Sequence, residues 1–168
     1  MIKENFILSR EEANHKLERM ALQIAERLKG DNAPVVLIGV AHAGTIIAEK
    51  LHAYLQKYIS GTIEILTVQL NKRAPKEVTF SKDIDATDKN IIVVDDVTNS
   101  GRTLLYAVKP LLSFIPKRIQ TLVVIERMHR HFPVKPDYVG MSVATPGNEN
   151  IVVVIEGQEV TGAYVDRL

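Results

Sequence analysis

The sequence predicts an α/β fold, a central parallel sheet flanked by helices, completed by a small C-terminal subdomain over about residues 127–168. Three observations predict it. Apolar runs such as Val35–Ile38 and Ile91–Val94 are continuous rather than alternating, the pattern of strands covered on both faces. Segments of helical periodicity fall between those runs, and strands alternating with helices are the signature of a parallel sheet. Finally, 168 residues with 46% hydrophobic and 24% charged content suit a single domain with a sizeable core, here about residues 9–126.

Taken in order, Ser9 followed three residues later by Glu12 is a capping-box pattern. Apolar residues at Leu17, Met20, Ala21, Ile24, Ala25 and Leu28 then continue at helical spacing to a stop at Gly30. Pro34–Val40 reads as a buried strand, the Ala41–Gly44 segment as a turn, and Thr45–Tyr58 as a helix. A second strand is expected over Thr62–Leu70. Asn71–Lys76 is polar, basic and proline-containing, which predicts an exposed loop, followed by a short extended piece at 77–80 and a turn at 83–90. Beyond the strand that starts at Ile91, Leu104–Phe114 is helical with a kink or end at Pro110, and Arg118–Ile125 is another buried strand. Residues 127–150 break into turns at Pro133, Pro136, Gly140, Pro146 and Gly147, too long for a simple connection, and one more strand at Ile151–Ile155 closes the subdomain.

Residues 91–103, Ile-Ile-Val-Val-Asp-Asp-Val-Thr-Asn-Ser-Gly-Arg-Thr, carry the chemistry. Four β-branched residues lead into two adjacent carboxylates and then into a hydroxyl-rich loop containing glycine. Asp95 and Asp96 suit hydroxyls or a divalent cation, whereas successive N–H groups and hydroxyls over Thr98–Thr103 suit a phosphate. Adjacent strand residues point to opposite faces, which gives the two carboxylates different tasks unless the strand has already turned. A ligand with a sugar, a metal and a phosphate would satisfy both halves. Gly39–Thr45 has the glycine spacing of a P-loop but Thr45 in place of the required lysine, and no Gly-x-Gly-x-x-Gly occurs, so neither an NTPase nor a dinucleotide oxidoreductase is favoured. A phosphorylation receiver would place its acidic pair near the first strand. With no cysteine the chain has no disulfide, thiolate nucleophile or cysteine metal site. Net charge +1 argues against a broadly basic nucleic-acid surface, and no apolar run approaches the roughly 18–20 residues of a membrane span. Met-Ile-Lys-Glu-Asn lacks the layout of a signal peptide, so a cytoplasmic location is expected.

The stretch Val-Val-Asp-Asp-Val-Thr-Asn-Ser-Gly-Arg-Thr resembles the phosphoribosyl-pyrophosphate (PRPP) signature of type I phosphoribosyltransferases. The Gly39–Gly44 turn resembles their pyrophosphate loop, Asn71–Lys76 sits where a mobile catalytic loop belongs, and 127–150 matches the hood that covers the base. Within the family, Glu126–Pro133 and Pro136–Gly140 most resemble PyrR, a pyrimidine-operon regulator that is also a uracil phosphoribosyltransferase; the hypoxanthine enzymes come next. The resemblance implies that Asp95 and Asp96 hold the ribose hydroxyls of PRPP, directly or through Mg²⁺. Thr98, Asn99, Ser100, Gly101, Arg102 and Thr103 would bind the 5-phosphate, with Val97 before them a further substrate contact, and Val40, Ala41, His42, Ala43 and Gly44 would face the pyrophosphate. Lys72, Arg73 and Arg127 are implied as further anion contacts. The base would lie near Tyr138 and Asn150, Ile151 and Val152, with Glu156 as a further metal carboxylate. A homodimer or higher homo-oligomer is implied as well.

Several residues depart from the family pattern. Asn99 stands where purine-using relatives often have an aspartate that handles the base proton, and an amide is no general base at neutral pH. That favours uracil over hypoxanthine or guanine. Ala43 replaces a basic residue of the pyrophosphate loop, and the mobile loop is shorter than the PyrR pattern. A second function class therefore stays open, a regulator that senses PRPP or a nucleotide and acts through RNA or protein with weak or no catalysis. The first helix mixes Arg10, Lys16, Arg19, Arg27 and Lys29 with Glu11, Glu12, Glu18 and Glu26, which argues against specific RNA binding. For the cluster Arg127, His129 and Arg130, contact with pyrophosphate, RNA or a partner competes with simple surface ion pairing.

Overall fold

The structure, a computed structural model, describes residues 5–167. Helix α1 (Arg10–Arg27) begins at the capping box: the Glu12 N–H donates to Ser9 Oγ at 3.2 Å and the Ser9 N–H to the Glu12 carboxylate at 2.8 Å. Two amide donors orphaned at the helix start are thereby satisfied. Its stripe of Ala13, Leu17, Met20, Ala21 and Ile24 is buried.

Every residue of β2 (Val35–Val40) is buried, and α2 (Ala41–Leu55) follows it without an intervening loop. Next come β3 (Ile63–Leu70) and the short β4 (Val78–Phe80), which pairs antiparallel with β3. Strand β5 (Asn90–Thr98) runs through the acidic pair to Thr98. Helix α3 (Arg102–Val108) gives way to a 3₁₀ turn at Lys109–Ser113, because Pro110 brings no N–H to an α ladder. Strands β6 (Arg118–Arg127) and β7 (Tyr138–Val143) complete a six-stranded sheet of order β4-β3-β2-β5-β6-β7, parallel except for β4.

The chain winds outward from β2 to β3, then returns to lay β5 on the other side of β2. This reversal is a topological switch point, where the carboxyl ends of β2 and β5 open a crevice suited to a ligand. Helices α1 and α2 cover one face, with Leu17, Ile24, Ile47 and Leu51 packing among Leu37, Ile92, Val94 and Leu122. On the other face Leu104 and Leu111 pack among Val36, Ile38, Ile91, Val93 and Val123. Burial on both sides is why these strands read as unbroken apolar runs.

A separate antiparallel sheet of order β1-β9-β8 is built from β1 (Phe6–Ser9), β8 (Glu149–Glu156) and β9 (Glu159–Arg167). Three features correct the expected layout. Residues 138–143, assigned to the hood from sequence, form the sixth strand of the main sheet. The hood is not purely C-terminal, since β1 contributes its edge, and β9 was not anticipated. Among the described residues no helix is long and apolar enough to cross a membrane.

At the amino ends of the central strands, Asp31 ties three segments together. Its Oδ1 accepts from Lys117 Nζ at 2.8 Å and from the Ala33 N–H at 2.9 Å, and its Oδ2 accepts from Asn90 Nδ2 at 3.2 Å. Lys117, then Ala33 and Asn90, lower the carboxyl pKa from 3.8 to about 2. A depressed folded-state pKa means stability that is present above the unfolded value and lost as pH falls through the folded one. Asp31→Asn is therefore expected to unfold at lower urea than the wild type at pH 7. The gap should narrow between pH 3.8 and about 2 and close below that window, as followed by urea titrations across pH.

Candidate functional site

The carboxyl end of β5 carries both carboxylates. The Asp95 side chain is 1% exposed and that of Asp96 is 19% exposed. Asp95 Oδ1 accepts the Asp96 N–H at 2.9 Å, and Asp96 Oδ1 accepts the Val97 N–H at 2.8 Å. Despite the alternation of strand side chains, one cation reaches both: Lys72 Nζ lies 3.4 Å from Asp95 Oδ1 and 3.6 Å from Asp96 Oδ1. Burial raises the Asp95 pKa well above the usual carboxylate range, the Asp96 charge adds to that, and Lys72 opposes it. For Lys72 burial disfavours the ammonium, but the charges of Asp95 and Asp96 outweigh it and hold its pKa above the ordinary lysine value.

Directly beyond the pair, Asn99, Ser100 and Gly101 carry the chain into α3. Gly101 has φ +87°, a left-handed conformation that glycine adopts without a Cβ clash. The segment after β6 holds this loop in place, since the N–H groups of His131 and Phe132 both donate to the Ser100 carbonyl at 2.9 and 3.0 Å. Lys72 and every residue from Val97 to Thr103 line one cavity of about 240 Å³. A phosphate fits its chemistry: backbone N–H groups, the hydroxyls of Thr98, Ser100 and Thr103, and two cations, Lys72 and Arg102.

Thr98 and Asn99 also line a second cavity of about 350 Å³, together with Glu126, Arg127, Arg130 and Lys135. The two compartments thus meet at the end of β5. Glu126 is a lining residue that the sequence reading missed. It stands opposite Thr98 in the sheet, and Ser142 Oγ donates to its Oε2 at 2.8 Å. A carboxylate directly after a buried apolar run, Glu126 after Leu122–Ile125 as Asp95 after Ile91–Val94, was the available signal.

Val40–Gly44 is not a free loop. Ala41 to Gly44 form the first turn of α2, and Ala41 takes φ +51°, a left-handed backbone uncommon for a residue with a side chain. The turn lies against β5: a Cβ on Gly44 would stand 2.4 Å from the Val94 carbonyl oxygen, one residue before Asp95. His42 is exposed and Ala43 half-buried at the same end of the strand. Arg73 is exposed, and its N–H donates to Asn71 Oδ1 at 2.9 Å.

Other expected contacts go elsewhere. Tyr138 is buried in the core, where its hydroxyl donates to Gln120 Oε1 at 2.7 Å and the Arg27 guanidinium lies 4.7 Å from its ring centroid. It pairs with Leu122, at the level of Val94 and below the mouth of the crevice, so it is a packing residue rather than a wall of the base site. Glu156 is drawn to Arg10 at 3.9 Å, and among the described residues no group of three His, Asp or Glu side chains could hold a metal. Glu156 is thus not joined to the acidic pair. Two carboxylates alone still fit Mg²⁺, which keeps several waters and is held by one or two carboxylates together with the oxygens of a phosphorylated substrate.

Arg127 is 7% exposed, and its guanidinium is already committed to the hood. It donates to Thr145 Oγ1 at 2.6 Å, to the Pro146 carbonyl at 2.7 Å and, at 3.5 Å, to Asn150 Oδ1. Ile151 is buried against the main core and Val152 is half-buried. Arg127 ties the strand end to the hood segment instead of presenting a free charge, and no ion pair engages it among the described residues. Arg127→Met is expected to cost about 1–3 kcal/mol and to speed amide exchange over residues 145–150, read by hydrogen–deuterium exchange, because buried acceptors lose a charged donor.

A sequence profile for the phosphoribosyl transferase domain matches residues 7–158. The Bifunctional protein PyrR of Thermoanaerobacter sp. is 35% identical over 162 residues, spanning 89% of this chain and 89% of the relative. The protein of that name from Elusimicrobium minutum is 35% identical over 169 residues, spanning 95% and 93%. Among solved structures, a hypoxanthine-guanine phosphoribosyltransferase of Bacillus anthracis superposes with a TM-score of 0.71 at 25% identity, covering 89% of this chain and 85% of that one. The hypoxanthine phosphoribosyltransferase of Trypanosoma cruzi reaches 0.81 at 19% identity over 98% and 97%, a likeness of fold. An acidic strand end at the switch point, a loop cradle beside it and these relatives agree: the chain belongs to the type I phosphoribosyltransferases and is PyrR-like.

Proposed function

We propose that the chain transfers ribose 5-phosphate from PRPP to uracil with release of pyrophosphate. The observation that carries this reading is the continuity of three compartments at one crevice: the acidic pair, the cavity lined by Val97–Thr103, and the adjoining cavity bounded by Glu126. Asp95 and Asp96 hold the ribose hydroxyls, and with them Mg²⁺, which when bound neutralises charge on the departing pyrophosphate. Backbone N–H groups and hydroxyls of Thr98–Thr103 grip the 5-phosphate. The N–H groups of the first turn of α2, Ala41 to Gly44, face the pyrophosphate, as helix starts suit anions. The bond from ribose C1 to the pyrophosphate oxygen breaks as the bond to uracil N1 forms, with oxocarbenium character between, and the N1 proton leaves on an oxygen of the departing pyrophosphate, so catalysis is mainly positioning and electrostatics.

The base sits in the second cavity. Glu126 accepts from a ring N–H while Arg130 and Lys135 offer donors, a pattern that suits an edge in which one N–H is flanked by two carbonyl oxygens. Uracil has that edge. Asn99, which has no proton-accepting role, adds to the case against hypoxanthine or guanine. A homo-oligomer in the cytoplasm belongs to the same reading, on the strength of the family resemblance.

Ala43, a neutral residue in the pyrophosphate turn, favours a second reading in which the protein binds PRPP or a nucleotide as a signal and acts through RNA or another protein. Incubation with PRPP, Mg²⁺ and each nucleobase, followed by pyrophosphate release, separates the two. Release with uracil alone is expected; silence with every base, alongside measurable PRPP binding, would leave the regulator. Retention of pyrimidine-leader RNA that weakens steeply with salt would support an RNA-binding role.

A further inference from the structure

We propose that Lys72 is the chain's own counter-cation for the acidic pair, and that Arg102 is a positioning residue that keeps it there until an anion enters the cradle. This rests on the reading of Asp95 and Asp96 as the cation and ribose site. The Lys72 ammonium lies 3.4 and 3.6 Å from one oxygen of each carboxylate. Both separations exceed the roughly 2.7–2.9 Å of a tight charge-assisted hydrogen bond. The ammonium therefore bridges the pair without being locked to either member, which suits a group that is displaced in every binding event.

Its backbone is held from the far side of the cradle. Arg102 Nη2 donates to the Lys72 carbonyl at 2.9 Å and, at 3.5 Å, to the Arg73 carbonyl. The loop is shaped in advance by Asn71, whose Oδ1 accepts the N–H groups of Arg73 and Ala74 at 2.9 and 3.3 Å. Arg102 also lines the cavity that Lys72 and the Thr98–Thr103 segment enclose. A guanidinium is always charged and matches an oxyanion better than it matches a neutral carbonyl. An anion arriving in the cradle competes for Arg102, the Lys72 carbonyl loses its anchor, the loop lifts and the two carboxylates are released to a divalent cation. The phosphate compartment and the acidic pair are then coupled through two side chains, and such coupling is reciprocal.

The test uses Mn²⁺ as a paramagnetic cation probe and sulfate as the anion probe, on the full chain and its Lys72→Met, Lys72→Arg and Arg102→Met variants. Expected for the wild type are weak Mn²⁺ binding that sulfate strengthens, and faster amide exchange over residues 71–76 once sulfate is present. Lys72→Met should bind Mn²⁺ at least about tenfold more tightly without sulfate and lose most of the sulfate effect, while Lys72→Arg should stay near the wild type. Arg102→Met should show fast exchange over 71–76 at all sulfate concentrations. Unchanged Mn²⁺ affinity in Lys72→Met, or slow loop exchange in Arg102→Met, would overturn the proposal. Direct PRPP titration of the wild type separates this outcome from the functional reading: loss of PRPP binding with the Mn²⁺ and sulfate pattern intact would sink that reading and leave the counter-cation.

Discussion

Asp95→Asn is expected to make the unliganded protein more stable at neutral pH by about 1–3 kcal/mol while it lowers affinity for Mg²⁺ and PRPP beyond the roughly 10–100-fold typical of a lost supporting group. Asp95 is 1% exposed, and among the described residues its nearest donor is the Asp96 N–H at 2.9 Å. Lys72 stands off at 3.4 Å, and a second carboxylate is the next residue along. Removing a carboxylate from water costs several kcal/mol, which a single amide and a distant ammonium do not offset. The upward pKa of Asp95, caused first by burial and then by Asp96, reflects the same imbalance. An asparagine keeps a carbonyl oxygen for the Asp96 N–H and carries no charge to bury. Urea unfolding and isothermal titration with Mg²⁺ and PRPP measure the two halves. Lower stability together with lost binding would mean that Asp95 is mainly a structural acceptor.

Much of the fold was legible because its strands are covered on both faces. Burial of β2 and β5 writes unbroken apolar runs, and the intervening helices keep their own period. What escaped was set by partners distant in sequence. Strand β1 is four residues long and pairs with Gly162–Tyr164, at the far end of the chain. Strand β7 is a short Tyr-Val-Gly-Met-Ser-Val segment embedded in turn-forming residues, and it became a strand only because β6 offered an open edge.

The candidate site divides in the same way. Asp95 through Thr103 is contiguous, so one local motif displayed the acidic pair and the cradle together. Glu126 entered through register, by standing across from Thr98. The family resemblance alone puts Tyr138 at the base, yet the parallel direction of β7 sets its first residue deep in the layer. For Arg127 the sequence leaves an anion, RNA or partner contact open against surface ion pairing; its three acceptors lie 18 to 23 residues further on, beyond the reach of local pattern. Lys72 was named as an anion contact, but its present partners are carboxylates, fixed by a loop that Arg102 holds.

Gly44→Ala is expected to destabilise the protein by about 2–4 kcal/mol, at the upper end of what overpacking a core costs. The added Cβ would stand 2.4 Å from the Val94 carbonyl oxygen, closer than real Cβ atoms come to anything, and that oxygen belongs to the backbone of the central strand. Val94 is fully buried and β5 is paired to β2 and β6 on its two sides, so the carbonyl has no direction in which to give. Relief has to come from α2. Its Ile46, Ile47, Ala48, Leu51 and Leu55 are buried, so moving the helix off the sheet opens space along its length rather than at one residue. The same shift would carry the Ala41–Gly44 turn away from Asp95, which joins a stability defect to a binding defect at the pyrophosphate end. Ala43→Gly, one position earlier at a half-buried site, serves as the comparison: it adds no atom and should cost about 1 kcal/mol or less through helix propensity alone. Urea midpoints for both variants, with pyrophosphate binding measured well below those midpoints, provide the check. Equal losses in the two variants would mean that backbone flexibility of the turn, and not its contact with β5, is what the glycine secures.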